Sequence, residues 1–275
     1  MDVTILGSGS PIPDAERAGP SGLVSAAGQH FLVDCGRGVL IRLAGAGVQV
    51  PQLTAVFLTH LHSDHTTDFN DVITTWWVMP MTAGRNLKVI GPPGTRAFVD
   101  RTIAAMSADV GYRIDHHDDI SAGPVVDVVE VSDGVALESG SVTVHAGLVD
   151  HGVVKPAVGY RFEAEGGVVC WSGDTLPCDG LDALCRDADV YVQTVIRRAL
   201  VEQVPVQRFL DIIDYHSDVA DAAQTAKRSG AKTLVLNHCV PAPLPGTEGD
   251  WIADAAAHFD GTILLANDLT KVSAS

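Results

Sequence analysis

The 275-residue chain contains no CxxC pair, and its five cysteines (Cys35, Cys170, Cys178, Cys185 and Cys239) are odd in number and irregularly spaced. This argues against a disulfide framework and fits a reducing compartment. The N-terminus also lacks a basic segment followed by an apolar one. Met1-Asp2-Val3-Thr4-Ile5-Leu6 runs straight into strand-like sequence, so no signal peptide is expected. No apolar run approaches the length of a membrane span, and the expected location is the cytoplasm. Linkers, low-complexity stretches and repeats are missing too, so one domain over residues 1–275 is expected. Positive charge is scarce. Eighteen Lys and Arg stand against 34 Asp and Glu, a formal net charge of −16, and Arg197-Arg198 is no more than a pair. A nucleic-acid enzyme usually carries a basic stripe that neutralises phosphates, so this balance lowers the rank of a bulky polyanionic substrate. Bound divalent metals would offset part of the charge locally.

What is present is core-forming sequence, 46% hydrophobic, enough for a well-buried interior. Segments 3–9, 30–36, 54–60 and 87–94 read as strands stopped by Gly or Pro turns, and 54–60 is apolar enough to be buried on both faces. Residues 95–108 read as a helix, whereas 111–133 carries no clear period. Strands are expected again at 142–151, 157–166 and 168–175. Residues 214–230 form a helical pattern, with Ser217 as N-cap, Val219, Ala222, Ala223 and Ala226 on one face, and Gly230 as the stop. Strands at 232–238 and 262–268 complete the reading. Many strands with helices in both halves predict an α/β or α+β sandwich whose helices cover the sheets.

The chemistry is concentrated where strand 54–60 ends, in His60-Leu61-His62-Ser63-Asp64-His65. Three imidazoles and a carboxylate within six residues are suitable zinc ligands, and so dense a group can serve two metals. Further candidates each close a strand-like run: His151, Asp174 and His238. Ligands at strand ends can converge on one edge of a sheet.

These residues, with Leu6-Gly7-Ser8-Gly9-Ser10-Pro11, Leu32-Val33-Asp34-Cys35-Gly36, Ser172-Gly173-Asp174-Thr175 and the closing Tyr215-His216-Ser217 and Leu236-Asn237-His238, resemble the metallo-β-lactamase-fold superfamily, in its tRNase Z and arylsulfatase-like branch. The resemblance implies an α+β, four-layer αββα sandwich with the site along one edge. It implies that His60, His62 and His151 hold one zinc ion, that Asp64, His65 and His238 hold a second, and that Asp174 bridges them. Manganese or iron would suit the same donors. A hydroxide shared by the metals would be the nucleophile. His216 would assist proton transfer or bind the reacting group, Asp64 could also accept a proton, and Asp34 would support ligands from behind. A homodimer is expected on the same ground.

Other residues carry weaker readings. Trp76 and Trp77 read as core packing rather than a pocket wall, His116-His117-Asp118-Asp119 as an exposed turn, and Cys239 as a buried, inert thiol. Gly7 and Gly9 mark a tight turn, and the segment lacks the lysine of a phosphate loop.

The chain also departs from tRNase Z of the bacterial type. The interval between His151 and Asp174 is too short for a tRNA-gripping arm, Ser63 stands where Gly is usual, and Cys239-Val240-Pro241-Ala242 follows the last His. The sequence therefore ranks small esters first as substrates, phosphodiesters ahead of aryl sulfates. Next comes tRNA 3′ processing, then lactone, thioester or β-lactam hydrolysis, and last a non-catalytic metal-binding module.

Overall fold

A computed structural model describes residues 1–274. The chain opens with β1 (Asp2–Gly7), β2 (Ser21–Ala26) and β3 (Gln29–Val33), then α1 (Val39–Gly45), β4 (Leu53–Phe57), the single turn α2 (Ser63–Thr66) and α3 (Phe69–Val78). Next come β5 (Leu87–Gly91), α4 (Thr95–Ala105), α5 (Ser107–His116) and β6 (Val126–Glu130). The second half runs β7 (Gly134–Ser139), β8 (Val142–His151), β9 (Val154–Ala164), β10 (Gly167–Trp171), α6 (Asp179–Cys185) and β11 (Val190–Ile196). Two short helices, α7 (Arg198–Val201) and α8 (Gln207–Leu210), precede α9 (Val219–Ser229), β12 (Thr233–Val240), α10 (Glu248–Ala256), β13 (Thr262–Leu265) and β14 (Lys271–Ser273).

The strands form two seven-stranded sheets, ordered β14-β1-β2-β3-β4-β5-β6 and β13-β12-β11-β10-β9-β8-β7. Both are mixed, with parallel pairing from β3 to β6 and from β10 to β13. The period of two along each strand decides the layers. Val24, Phe31, Val33, Val169, Trp171, Val190 and Val192 point into one core between the sheets. Their neighbours Leu23, Leu32 and Val56 turn outward to meet Phe69, Val72, Ile73 and Trp76 of α3 and Val99 of α4. On the other sheet, Cys170, Tyr191, Leu234 and Leu236 turn outward to meet α6, α9 and α10. The result is helix, sheet, sheet, helix, the expected αββα sandwich. Phe31, Phe57, Tyr160 and Phe162 lock the two sheets together, ring edge against ring face except for the tilted pair Phe31 and Phe162.

Several local expectations change. Strand 3–9 stops at Gly7, and β2 and β11 lie where no strand was read. The unreadable stretch 111–133 holds the end of α5 and the edge strand β6, whose side chains are mostly exposed and so carry no alternation. The helix expected from 214 begins at Val219. Asp218, not Ser217, caps it, in a reciprocal box with Asp221. Ser217 instead donates its hydroxyl to the Thr175 carbonyl. No described helix is long and apolar enough to cross a membrane.

Candidate metal centre and active site

The carboxyl ends of β4, β8, β10 and β12 bring the chemistry to one edge. His60 lies three residues beyond β4, and His62 precedes α2, whose single turn carries Asp64 and His65. His151 is the last residue of β8, and Asp174 follows β10 by three residues. His238 is turned into the site by a bulge. Pairing of β11 with β12 slips after Thr194 and Asn237, and His238 takes a φ of 46°. Bulges beside active sites re-aim side chains in this way.

The donor atoms fall into two groups, His60, His62, His151 with Asp174, and Asp64, His65 with His238, each within 4.8 Å of one another. The hub is Asp174 Oδ2. It lies 3.4 Å from His65 Nε2, 3.6 Å from His238 Nε2, 3.8 Å from His60 Nε2 and 3.9 Å from His151 Nε2. His60 Nε2 and His62 Nδ1 face each other at 3.1 Å, and His238 Nε2 sits 3.3 Å from Asp64 Oδ2. Ligands at tetrahedral angles on zinc bonds of about 2.0–2.1 Å are about 3.3 Å apart, so the spacing suits a shared ion.

The outer shell points the lone pairs inward. Thr59 Oγ1 gives its one proton to Asp34, 2.9 Å away, and so accepts from His60 Nδ1 at 3.0 Å. His65 Nδ1 donates to Asp34 at 2.8 Å, and His151 Nδ1 donates to the Tyr215 carbonyl at 2.9 Å. In the neutral form that a metal ion requires, each ring keeps its proton on Nδ1 and leaves Nε2 bare towards the cluster. His65 Nε2 and Asp174 Oδ1 are buried without a hydrogen-bond partner, an arrangement that a bound cation would satisfy. The residues present fit divalent metal.

Electrostatics agree. Burial pushes the imidazoles of His60 and His151 down, His151 to about 4. Burial acts the same way on His65 and His238, but the carboxylates facing them outweigh it. Asp174 and Asp34 hold His65 well above its usual range, and Asp174 with Asp64 raises His238 to about 9. Asp64 falls to about 2, because the hydrogen bond from His238 and the charge of His65 overcome its burial. Two carboxylates in a nearly closed site thus demand positive charge beside them.

His216 stands apart from the donors. Its Nδ1 donates to the Ile212 carbonyl at 2.9 Å, and Nε2 lies 3.3 Å from Asp174 Oδ2. It does not cap α9. With His62, Asp64, Asp174 and His238 it lines a cavity of about 310 Å³, whose other walls include Ser10, Pro11, Arg208, Phe209 and Tyr215.

The family is shown by sequence as well. The pattern of the β-lactamase superfamily domain matches residues 29–239. The chain belongs to the β-lactamase superfamily. It is 52% identical over 273 residues to a ribonuclease Z of Mycolicibacterium gilvum, covering 99% of this chain and 96% of that protein. A ribonuclease Z of Mycobacterium bovis is 50% identical, covering 99% and 98%. The crystal structure of the short form of human tRNase Z superposes with a TM-score of 0.74 at 22% identity, over 100% of both chains, and shares the fold. The chain is a metal-dependent hydrolase of the ribonuclease Z-like kind.

Other singled-out residues lie elsewhere. Trp76 is buried under α3 and donates to the Arg85 carbonyl, while Trp77 donates to the Ala122 carbonyl. Neither lines the metal cavity. His116, His117, Asp118 and Asp119 are exposed at the end of α5. Cys239 is buried, and burial pushes its thiol up to about 12. Sequence reasoning missed Arg208 and Phe209, which arrive from a connector with no motif of its own, and gave no role to Tyr215, which it quotes only as part of a family unit.

Proposed function

We propose that this chain is a tRNA 3′-processing endoribonuclease that hydrolyses one phosphodiester bond at a site holding two metal ions. The observation that carries the reading is the end-to-end match to proteins called ribonuclease Z, 52% identical over 99% of the chain. It reverses the ranking drawn from the sequence, which put small esters ahead of tRNA. The relatives are matched over 96% and 98% of their own lengths, which leaves them no room for a long arm either. Net charge is summed over the whole surface, whereas a phosphate meets only the charges nearest to it.

In this proposal His60, His62 and His151 hold one zinc ion, Asp64, His65 and His238 hold the other, and Asp174 serves both. Manganese or iron would fit the same donor set. Two such ions supply Lewis-acid polarisation of the phosphate and an activated water. The protein's own groups do the rest. Asp34, Thr59 and the Tyr215 carbonyl fix the tautomers of the liganding rings. Asp64, ionised at neutral pH, can accept a proton at its free oxygen. His216, oriented through Nδ1, presents Nε2 to the cavity, and in its imidazolium form, with the Asp174 carboxylate beside it, would give the Nε2 proton to the departing oxygen. Five free cysteines support a cytoplasmic setting, and a homodimer is the proposed assembly.

The test is a parallel assay of the metal-analysed protein on a precursor tRNA, bis-p-nitrophenyl phosphate and p-nitrophenyl sulfate, with His216→Ala and Asp174→Ala. Site-specific cleavage of the precursor, lost in Asp174→Ala and reduced roughly 10²- to 10⁴-fold in His216→Ala, is the expected result. Turnover of the small phosphodiester with an intact precursor would overturn it.

A further inference from the structure

The cavity over the metal donors continues beyond His216. Its outer wall is α8, where Arg208 and Phe209 are adjacent, and Ile12 of the loop after β1 lines the same cavity. A second cavity of about 220 Å³ shares Ile12 and Phe209 with the first and is otherwise bounded largely by apolar groups such as Val201, Val204 and Pro241. Two features of this wall are unexplained by folding. Phe209 is 38% exposed and Ile12 58%, and among the described residues Phe209 stacks on no other ring. Arg208 is the one Lys or Arg lining the metal-side cavity. Arg197 and Arg198, on the same connector, are tied to Asp250, Asp254 and Asp218. Among the described residues, Arg208 makes no ion pair and no hydrogen bond.

A free guanidinium beside an unstacked ring matches the two chemical faces of a nucleotide. Guanidinium suits phosphate oxygens, and an exposed ring suits a base, which stacks without regard to its identity. The metal donors lie at the floor of the first cavity, so the scissile phosphate belongs there. A neighbouring nucleotide would then reach the wall. Resting on the RNA-processing reading above, we propose that Arg208 and Phe209 form a subsite for the single-stranded nucleotide flanking the scissile phosphate. The guanidinium holds its phosphate, and its base stacks on Phe209 within the second cavity. Apart from Ser10 and Asp14 that second cavity is apolar, so stacking rather than hydrogen bonding carries the base contact.

The test uses full-length, metal-loaded protein and a precursor tRNA with a non-hydrolysable linkage at the cleavage site, so that RNA is bound but not cut. Fluorescence anisotropy with a labelled precursor tRNA is read across a salt series for wild type, Arg208→Ala, Phe209→Ala and Phe209→Trp. A second RNA carries an abasic nucleotide at each position flanking the cleavage site. Phe209→Ala is expected to weaken binding roughly 5- to 150-fold, and Phe209→Trp to restore it. On the abasic RNA, already weakened, Phe209→Ala should have no further effect. Arg208→Ala should lower the slope of log affinity against log salt by about 1. Both side chains are exposed, so melting temperatures should match wild type. Variants that bind both RNAs like wild type, while wild type still processes the precursor, would overturn the subsite and leave the RNA reading intact. Equal losses on the intact and abasic RNAs would overturn the stacking role. A wild-type protein that neither binds nor cuts the precursor overturns both.

Discussion

Asp34 accepts the Nδ1–H of His65 at 2.8 Å while its own backbone stands at a φ of 58°. The same carboxylate takes the Thr59 amide and hydroxyl, at 2.8 and 2.9 Å. One side chain therefore orients His65 directly and His60 through Thr59. Asn tolerates the left-handed backbone and keeps the shape, so Asp34→Asn isolates the charge and the paired acceptors. The expected outcome is a 10- to 100-fold loss of metal affinity or activity, read by competition with a chromophoric chelator, with the fold retained by circular dichroism.

Removal of metal should cost stability as well as activity. Asp64, Asp174 and the rings of His60, His65, His151 and His238 are close-packed and nearly or fully buried. A cation bound only by the folded chain stabilises it by mass action, about 4 kcal/mol at a thousand times its dissociation constant. At roughly 2–4 °C per kcal/mol for a chain near this size, treatment with chelator should lower the melting temperature by about 8 °C or more. Zinc should restore it. An unchanged melting curve after verified metal loss would sink the two-group assignment.

The candidate donors stand out because they are local: four of seven fall within His60 to His65, and the others close strands whose apolar runs are plain. Sandwich class was legible in the many strands with helices in both halves, whereas the four-layer order came from the family resemblance, because strands such as 30–33 and 168–171 are apolar on both faces and carry no alternation. What escaped is non-local or exposed. Three-residue β14 becomes a strand by pairing with β1 across the length of the chain, and no local pattern announces that. Edge strand β6 buries too little to alternate. Arg208 and Phe209 sit in the short helix α8, and they share a cavity wall with Ile12 from the distant loop after β1. The substrate ranking, which the match to proteins called ribonuclease Z reverses, rested on net charge and a missing insertion, and both describe the whole chain rather than the groups around the cavity.

Gly22 is required by Trp171. A Cβ on Gly22 would lie 2.1 Å from Trp171 Cη2, and that ring ends β10, three residues before Asp174. Gly22→Ala must displace the indole within a packed interior, at a cost of about 1–3 kcal/mol. Urea melts should show this loss, and metal content should fall with it as the Asp174 turn shifts. The double variant with Trp171→Phe, which removes the overlapping ring, should recover most of the stability. Failure of the rescue would mean that the glycine serves β2 alone.

Asp268 holds the loop that forms one wall of the cavity. Its carboxylate accepts from the Ser8 amide and hydroxyl, the Ala18 amide and Arg42 Nε, all at 2.8–2.9 Å, and it is nearly buried. Between Ser8 and Ala18 lie Ser10, Pro11 and Ile12, which face the metal-side cavity, while none of the metal donors touches this carboxylate. Asp268→Ala leaves Arg42 Nε without its acceptor and two backbone amides short of a partner, a loss of about 3 kcal/mol. The metal groups should keep their ions, since they are built on β4, β8, β10 and β12. The loss should therefore fall on KM for RNA rather than on metal content. Steady-state kinetics with metal analysis on the same preparation separates the two. A variant that loses metal in parallel with activity would show that the loop supports the centre itself, not only the substrate wall.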